Sequence, residues 1–305
     1  MKCIFCLEEI TSENRSDEHI FPKSLGARWE TDKVCSDCNS DIGSRIDSKL
    51  SDHPRIKLIR IKLGLETRHG KLPTLASEGT LNDDEEVKVE FQHDEKGNLK
   101  GFSAFPKTSV EPNGVKDNVK VTGDPENRSA FYEAVRKKLK RKYNLTPSDS
   151  EIDARTMLKK SERSVGFDTE TDVFNCKRAL LKIAYEMANE FLGTEYLNDG
   201  TGSLIRDVIN EKAGQPNLNR LILFEDLRLL KHNELINMDE PLGPEHFHSA
   251  TLSKKCNQIV CDISTFSEIK SSIVVSEYPE NHPEFNSVQV FIDPVRKIHD
   301  IKVQP

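Results

Sequence analysis

The sequence Cys3-Ile4-Phe5-Cys6 opens a stretch that closes at Val34-Cys35-Ser36-Asp37-Cys38-Asn39, with Asp17-Glu18-His19-Ile20-Phe21-Pro22-Lys23 between them. The two Cys-x-x-Cys pairs supply four thiolates, which are the ligand set of a closed, tetrahedral structural zinc site. Such a site would bring both ends of the intervening segment together. A carboxylate, an imidazole and an amide would then lie close to the metal. The first fifty residues therefore predict a zinc-bound unit around which the rest of the chain is organised.

The composition is that of a folded protein. The chain has 305 residues, of which 35% are hydrophobic and 31% are charged, so it is polar without being of a disordered type. No apolar run approaches the roughly 20 residues that a membrane helix needs. Seven cysteines in a chain without an export signal favour reduced thiols and zinc over a disulfide framework. We therefore expect a cytoplasmic protein with no membrane association.

The formal net charge of −7 does not favour nucleic-acid binding. Phosphate contacts act locally, however, so an acidic protein can still bind nucleic acid through Lys and Arg clustered on one face. The net charge alone therefore does not exclude nucleic acid as a partner.

A change of periodicity divides the zinc-bound segment into a strand and a helix. Residues 18–21 read as a short strand that ends at Pro22. After Cys38, the apolar residues Ile42, Ile46 and Leu50 recur every four positions, which predicts one buried helix face. Strand, loop, second Cys pair and helix in this order suit a small ββα metal unit.

The remaining chain mixes helices and strands, so the sequence predicts an α+β protein. Residues 51–80 form a connector whose periodicity fits either a strand or a short helix. Beyond it we predict a hairpin at 86–105, a strand at 115–121 with a turn at 122–125, helices at 129–143, 151–161, 175–192 and 203–212, and strands at 246–253, 256–264, 270–277 and 287–293. The predicted domains are a zinc-containing unit at 1–75 and a mixed regulatory or recognition region at 76–305.

The polar residues inside the zinc-bound unit are suited to hydrolysis. A histidine with a pKa near neutrality can act as a general base toward water, a role available to His19. The carboxylates of Asp17 and Glu18 and the amide oxygen of Asn39 are ligands of the kind that Mg²⁺ or Mn²⁺ prefers. The zinc itself would be a scaffold, because four thiolates leave no open position for a substrate.

Taken together, these motifs resemble the zinc-containing HNH endonucleases over about residues 1–50. The resemblance implies that His19 is the general base and that Glu18 and Asn39 hold a catalytic Mg²⁺ or Mn²⁺. Cys3, Cys6, Cys35 and Cys38 would hold the structural zinc. Because the last motif position is Asn39, this would be the Asn-ended variant of the family.

Two positions depart from a simple match. The middle Asn of the family pattern has no counterpart in the segment 29–33, where Thr31 or Asp32 could replace it. In an extended strand Asp17 would share a face with His19, whereas Glu18 would point the other way. The resemblance, and not the strand geometry, favours Glu18 as the metal ligand.

Basic residues provide candidate contacts to nucleic acid. Lys23 and Arg45 could bind phosphate, and the basic run at 136–142 could contact nucleic acid through Arg136, Lys137, Lys140 and Arg141. Exposed ion pairs or a solvated helix face would give the same pattern. DNA is the expected partner, RNA is not excluded by sequence, and a protein partner or a homo-oligomer is also compatible.

The sequence-based hypothesis is a metal-dependent DNA endonuclease. By resemblance, cleavage would leave a 5′-phosphate and a 3′-hydroxyl, and by analogy the protein could be an effector in restriction or anti-phage defence. The alternative is a non-catalytic zinc-knuckle protein that binds nucleic acid or acts as an adaptor.

Overall fold

A computed structural model describes residues 1–67, 69–81, 84–113, 116–122, 128–156, 165–167, 169–229 and 246–304. The strands are β1 (Glu18–His19), β2 (Glu30–Thr31), β3 (Glu78–Leu81), β4 (Asp84–His93), β5 (Leu99–Ala104), β6 (Lys107–Asn113), β7 (Lys116–Thr122), β8 (Val165–Gly166), β9 (Ile222–Asp226), β10 (His248–Lys255), β11 (Gln258–Thr265), β12 (Ile269–Ser276), β13 (Ser287–Asp293) and β14 (Ile298–Gln304). The helices are α1 (Ser36–Ile42), α2 (Ser48–Ser51), α3 (Pro54–Lys62), α4 (Arg128–Tyr143), α5 (Asp149–Asp153), α6 (Val173–Phe191), α7 (Gly200–Ile209) and α8 (Gln215–Leu221). The predicted α+β class is confirmed.

The chain forms two compact units, one of which is discontinuous in sequence. Met1–Pro73 and Glu170–Pro305 make up the first unit, and Thr74–Thr169 make up the second. The N-terminal segment thus folds together with residues 170–305. The functional division into 1–75 and 76–305 stays a prediction.

The N-terminal segment has the predicted order of strand, loop and helix. β1 pairs with β2 in antiparallel register, with Glu18 opposite Thr31 and His19 opposite Glu30. A turn of π-helix at Gly43–Asp47 joins α1 to α2, so that the helix is continuous. Ile42, Ile46 and Leu50 are fully buried, which confirms the predicted apolar face. The connector after residue 50 is helical at α3, which starts with Pro54 in its first turn.

Helix α6 is the central element of the first unit. Its apolar positions predicted a helix at 175–192, and the observed element begins slightly earlier because the Asp172 side chain accepts a hydrogen bond from the Asn175 backbone amide and caps it. Gly193 follows the helix with a φ of 80°, a backbone conformation that favours glycine. The helix contacts α2 and the π-helical turn on one side and strands β10, β11 and β12 on the other. It therefore connects the four-cysteine segment to the C-terminal sheet.

The C-terminal sheet of the first unit has six antiparallel strands in the order β14-β13-β10-β11-β12-β9. Four of these strands were predicted within a few residues, and β9 and β14 at the two edges were not. Side chains at the edge positions Leu223, Phe224, Ile298 and Val303 are exposed, so they give no simple alternating pattern. Gly26 lies close to this part of the unit, where a Cβ would come within 2.6 Å of the Pro294 carbonyl oxygen.

The second unit contains two small sheets and two helices. One sheet has the order β5-β4-β3-β8 and includes the predicted hairpin of β4 and β5, and the other pairs β6 with β7. Helix α4 confirms the prediction at 129–143. The predicted helix at 151–161 is observed as α5 and is shorter; residue 115, the turn residues 123–125 and residues 157–161 lie outside the described residues.

Among the helices in the described part of the chain, none has both the length and the apolar character that a bilayer crossing requires.

Candidate functional site

The four predicted zinc ligands converge. The ligand atoms of Cys3, Cys6, Cys35 and Cys38 all lie within 4.8 Å of one another, and the Cys6 and Cys35 sulfurs are 3.8 Å apart. A tetrahedral zinc ion with Zn–S bonds of about 2.3 Å requires sulfur separations of about 3.8 Å. The donor set and its spacing therefore fit a structural zinc ion.

Backbone geometry and electrostatics support the same reading of the cluster. The Cys3 amide donates to the Glu8 carbonyl at 2.8 Å, which closes the first turn, and the Cys35 amide donates to the Cys3 sulfur at 3.5 Å. The neighbouring thiols of Cys3 and Cys38 shift each other's pKa in opposite directions, lowering that of Cys3 and raising that of Cys38. Metal binding requires deprotonated thiols, and the first proton to be lost is that of Cys3.

His19 faces an acidic side chain across the short sheet. Its Nε2 atom lies 2.9 Å from the Glu30 Oε1 atom, because β1 and β2 place these residues directly opposite each other. The His19 side chain is 12% exposed, whereas that of Glu30 is 44% exposed. The contact is close but lacks the angular geometry of a hydrogen bond. His19 thus has a carboxylate neighbour in the segment where the family pattern places its middle Asn.

The environment of His19 favours the neutral imidazole. Burial lowers the pKa of His19 below its usual value, and the opposing effect of the Glu30 charge is smaller. The charge of Lys23 lowers the pKa further. A neutral imidazole can accept a proton, so the ring is in the state that a general base needs at neutral pH.

Glu18 points into the interior, on the other side of β1 from His19. Only 3% of the residue is exposed, and its carboxylate forms an ion pair with the Lys182 ammonium of α6. Successive side chains of a strand alternate between its two faces, which accounts for the opposite directions of Glu18 and His19. The structure therefore does not bring the carboxylate of Glu18 to the side on which His19 lies.

Lys182 is the centre of a buried group of charged side chains. Its Nζ atom lies 3.2 Å from Asp47 Oδ2 and 3.2 Å from Glu186 Oε2, and it also donates to the His19 carbonyl at 2.7 Å. Burial disfavours its charge, but the neighbouring carboxylates outweigh burial and raise the pKa of the ammonium group above its usual value. Burial raises the pKa of Asp47 to about 6 and that of Glu186 well above its usual range.

Asn39 joins the helix start to the chain just before β1. Its Nδ2 atom donates to the Ser16 hydroxyl at 3.3 Å and to the Asp17 carbonyl at 3.2 Å. Asn39 is half-buried and Asp17 is exposed. The amide thus lies beside the backbone two residues before His19, close to Asp17.

The ligand set predicted for a catalytic Mg²⁺ or Mn²⁺ does not fit the observed arrangement as a whole. Asn39 is placed beside the segment that carries His19, but the carboxylate of Glu18 is occupied by Lys182 and removed from water. In the described part of the chain, no group of three carboxylate, histidine or cysteine ligand atoms gathers around His19 closely enough to share an ion. The assignment of Glu18 and Asn39 as metal ligands stays a prediction.

The predicted phosphate-binding residues divide into two groups. Arg45 pairs with Asp41 at 2.7 Å and with Glu211 at 2.8 Å, and Arg136 pairs with Asp149 and donates to the Pro147 carbonyl at 3.1 Å. These two arginines therefore have structural partners. The residues that are exposed and remain candidate contacts are Lys23, Lys137, Lys140 and Arg141.

Sequence reasoning missed two residues of this site, Glu30 and Lys182. Glu30 belongs to the segment that was searched for a replacement of the middle Asn, but its position opposite His19 depends on the strand register. Lys182 is a basic residue within an otherwise apolar helix pattern, which is the only signal that the sequence offered. Its partners in β1 lie more than 160 residues earlier in the chain.

Comparison with known proteins identifies the N-terminal segment. Residues 3–55 match the family model described as HNH endonuclease. This segment contains the four cysteines, the short sheet with His19 and Glu30, and the helix with Asn39, so the N-terminal part of the chain is an HNH endonuclease domain with a four-cysteine cluster. No curated protein and no solved structure matches the chain significantly.

Proposed function

We propose that this protein is a metal-dependent DNA endonuclease of the HNH type that hydrolyses phosphodiester bonds. The observation that carries the proposal is the His19 site: a neutral, half-buried imidazole beside the Glu30 carboxylate, on a strand next to a four-cysteine cluster. The family match over residues 3–55 supports the same class of activity. The family implies a nucleic-acid substrate, and we propose more specifically that this substrate is DNA.

His19 would take a proton from the water molecule that attacks phosphorus. Its Nε2 atom faces Glu30, which leaves Nδ1 as the nitrogen for this transfer. The imidazolium that results is stabilised by the negative charge of Glu30 at the same short distance. Attack with loss of the 3′ oxygen would leave a 5′-phosphate and a 3′-hydroxyl.

The two metals have separate roles in the proposal. Zinc at the four cysteines holds the two ends of the domain together and takes no part in the reaction. The requirement for Mg²⁺ or Mn²⁺ rests on the family resemblance. The ligands of that ion stay open, and the proton transfer at His19 does not depend on which residues they are.

We propose Lys23 as a contact to the substrate. It is exposed, and it is close enough to His19 for its charge to lower the pKa of the imidazole. A phosphate bound by Lys23 would therefore lie beside the proposed base. The exposed basic residues of α4 are a second candidate surface, in the other unit of the chain.

Incubation of the zinc-loaded protein with supercoiled plasmid tests the proposal. We expect conversion to nicked or linear DNA with Mg²⁺ or Mn²⁺ and no conversion when neither ion is added. An RNA of matched sequence, assayed in parallel, determines the substrate. Retarded migration of intact DNA under every ionic condition would instead support the non-catalytic zinc-knuckle alternative.

A role as an effector in restriction or anti-phage defence is a further proposal by analogy with the uses of such nucleases. Plaque counts on cells expressing the protein test it. The expected result is fewer plaques than on cells expressing the His19→Ala variant, and equal counts would contradict a defence role.

A further inference from the structure

Lys182 is fully buried, yet the groups that it contacts come from the nuclease segment as well as from its own helix. It donates to the His19 carbonyl at 2.7 Å, approaches the Ile20 carbonyl at 3.5 Å, and forms ion pairs with Glu18 and Asp47. The remaining partner is Glu186, one turn further along α6. A buried ammonium group is tolerated only with such partners, because an isolated buried charge is very unfavourable.

We propose that Lys182 is a positioning residue of the nuclease site, and that Glu18 acts as its buried partner and not as a ligand of the catalytic ion. This inference rests on the proposed function. It assigns a role in the active site to a helix that lies far outside the family match at residues 3–55.

The short length of β1 explains why it needs an anchor. β1 and β2 have two residues each and form a sheet of their own, and an isolated pair of strands has little stability in water. Glu30 contacts His19 from the β2 side. Lys182 donates a hydrogen bond to the His19 carbonyl group and so fixes the backbone of His19. This also fixes the direction of the imidazole.

The position of Glu18 supports the second half of the proposal. Its carboxylate is on the interior face of β1, whereas His19 is on the other. Binding of a hydrated divalent ion there would require loss of the ion pair with Lys182 and would remove one of the three carboxylate partners of that buried ammonium. Asp17 is exposed, and its carbonyl accepts a hydrogen bond from Asn39, so the polar side of the strand has another carboxylate available.

The first test compares Lys182→Met with a control on the same helix, Lys177→Met. Lys177 forms an ion pair with Glu225 of β9, at the edge of the C-terminal sheet. We expect Lys182→Met to lower kcat about 10-fold or more without a change in KM, since small displacements of a catalytic group have effects of this size. Zinc content should be unchanged, and amide hydrogen exchange at residues 18–21 should be faster. Lys177→Met should match the wild type in all four measurements.

The second test distinguishes between Glu18 as a ligand of the catalytic ion and Glu18 as the buried partner of Lys182. For Glu18→Gln we expect the Mn²⁺ concentration for half-maximal cleavage to stay within about twofold of the wild type, because loss of a metal ligand would raise it about 10-fold or more. Asp17→Asn is assayed in the same way for comparison. If Lys182→Met does not fold, the quadruple variant Glu18→Gln, Asp47→Asn, Lys182→Met, Glu186→Gln should recover folding, because no buried carboxylate is then left without the ammonium group.

Each outcome decides the proposal. The proposal would be overturned by an unchanged kcat in Lys182→Met, a change in KM alone, or a 10-fold rise in the Mn²⁺ requirement of Glu18→Gln. A quadruple variant that stays unfolded when Lys182→Met does would also overturn it. If the wild-type protein cleaves no nucleic acid, the proposed function fails, and hydrogen exchange then decides the structural part alone. Faster exchange at 18–21 in Lys182→Met but not in Lys177→Met would support the anchoring role, and unchanged exchange would refute it.

Discussion

His19 is surrounded by charges of both signs, and their balance sets its protonation state. Burial is the largest influence and lowers its pKa, while Glu30 and Glu18 act to raise it and Lys23 and Lys182 act to lower it. Among these groups, Glu30 is the one in direct contact with the ring. Its charge therefore makes the imidazole more basic than burial alone would allow.

Glu30→Gln should shift the pH dependence of cleavage. Without the carboxylate the pKa of His19 falls further, so the acidic limb of the kcat/KM profile moves to lower pH. The loss of support for the imidazolium should lower kcat about 10-fold at neutral pH. Glu13→Gln, at an exposed position on the same segment, is the matched control. An acidic limb that stays in place would contradict a role for Glu30 beside the base.

For individual residues, the sequence was informative where the spacing of residues along the chain is enough to define a site. The four cysteines were predicted from local patterns, and the cluster that they form is observed. His19 was singled out in the same way, and its role as the base stays a prediction. Glu30 could not be chosen from its neighbours because only the register of two short strands places it opposite His19. The orientation of Glu18 was foreseen from strand alternation, but its partner Lys182 was not.

Helix α6 is tied to the first Cys-x-x-Cys turn by a buried tyrosine. The Tyr185 hydroxyl donates to the Ile4 carbonyl at 2.7 Å, and its ring packs against Phe5. Removal of the hydroxyl would leave the buried Ile4 carbonyl without this donor. This hydrogen bond should therefore contribute measurably to the stability of the whole unit.

Tyr185→Phe should lower the free energy of unfolding by about 1 to 2 kcal/mol, as expected for a buried acceptor that loses its partner. Urea denaturation of zinc-loaded protein measures the change. Tyr278→Phe is the control, because Tyr278 is 44% exposed. Equal stability of Tyr185→Phe and the wild type would show that the hydrogen bond does not link the helix to the turn.

Helix α4 presents Lys137, Lys140 and Arg141 on one exposed face, at i, i+3 and i+4 spacing. If this face contacts nucleic acid, replacing all three with Gln should weaken binding and reduce the slope of log K against log salt by about 2 to 3. Fluorescence anisotropy with labelled DNA at several salt concentrations measures both. The control replaces Arg296, Lys297 and Lys302 with Gln. Equal losses in the two triple variants would indicate only a change in net charge.

The helices were predicted better than the strands for a physical reason. Helix α6 combines an apolar periodicity with a cap at Asp172 and a glycine after its end, and all three signals are local. The edge strands β9 and β14 carry exposed apolar residues, so their pattern does not mark a buried face. The ion pair of Arg136 could not be predicted from the basic run in which it lies, because its partner Asp149 belongs to a different helix.

The first unit as a whole depends on the zinc cluster, because Cys3 and Cys35 belong to the same hydrophobic core as α6 and the C-terminal sheet. Zinc contributes on the order of 10 kcal/mol to the folding of small zinc domains. Removal of zinc by a strong chelator should therefore unfold this unit, as measured by loss of one zinc per chain together with a lower melting temperature. Cys38→Ser should have the same effect. Cys256→Ser, which removes an exposed thiol outside the cluster, should not.

The sequence could not show which segments of the chain fold together into the first unit. Contacts such as His248 Nε2 to the Leu25 carbonyl at 3.0 Å join residues more than 200 positions apart. Local patterns contain no information on such pairings, so residues 76–305 read as a separate region. Two compact units divide the chain at Pro73 and Glu170, and the functional division into 1–75 and 76–305 stays a prediction. The N-terminal segment and residues 170–305 together make one core.

The most direct measurement is the rate of plasmid cleavage by His19→Ala relative to the wild type, in zinc-loaded and folded protein. Removal of a general base should lower kcat at least about 100-fold. Zinc content and melting temperature should be unchanged, and His93→Ala, a histidine on β4 of the other unit, should cleave at the wild-type rate. Cleavage by His19→Ala at the wild-type rate would contradict the assignment of His19 as the base of an HNH endonuclease.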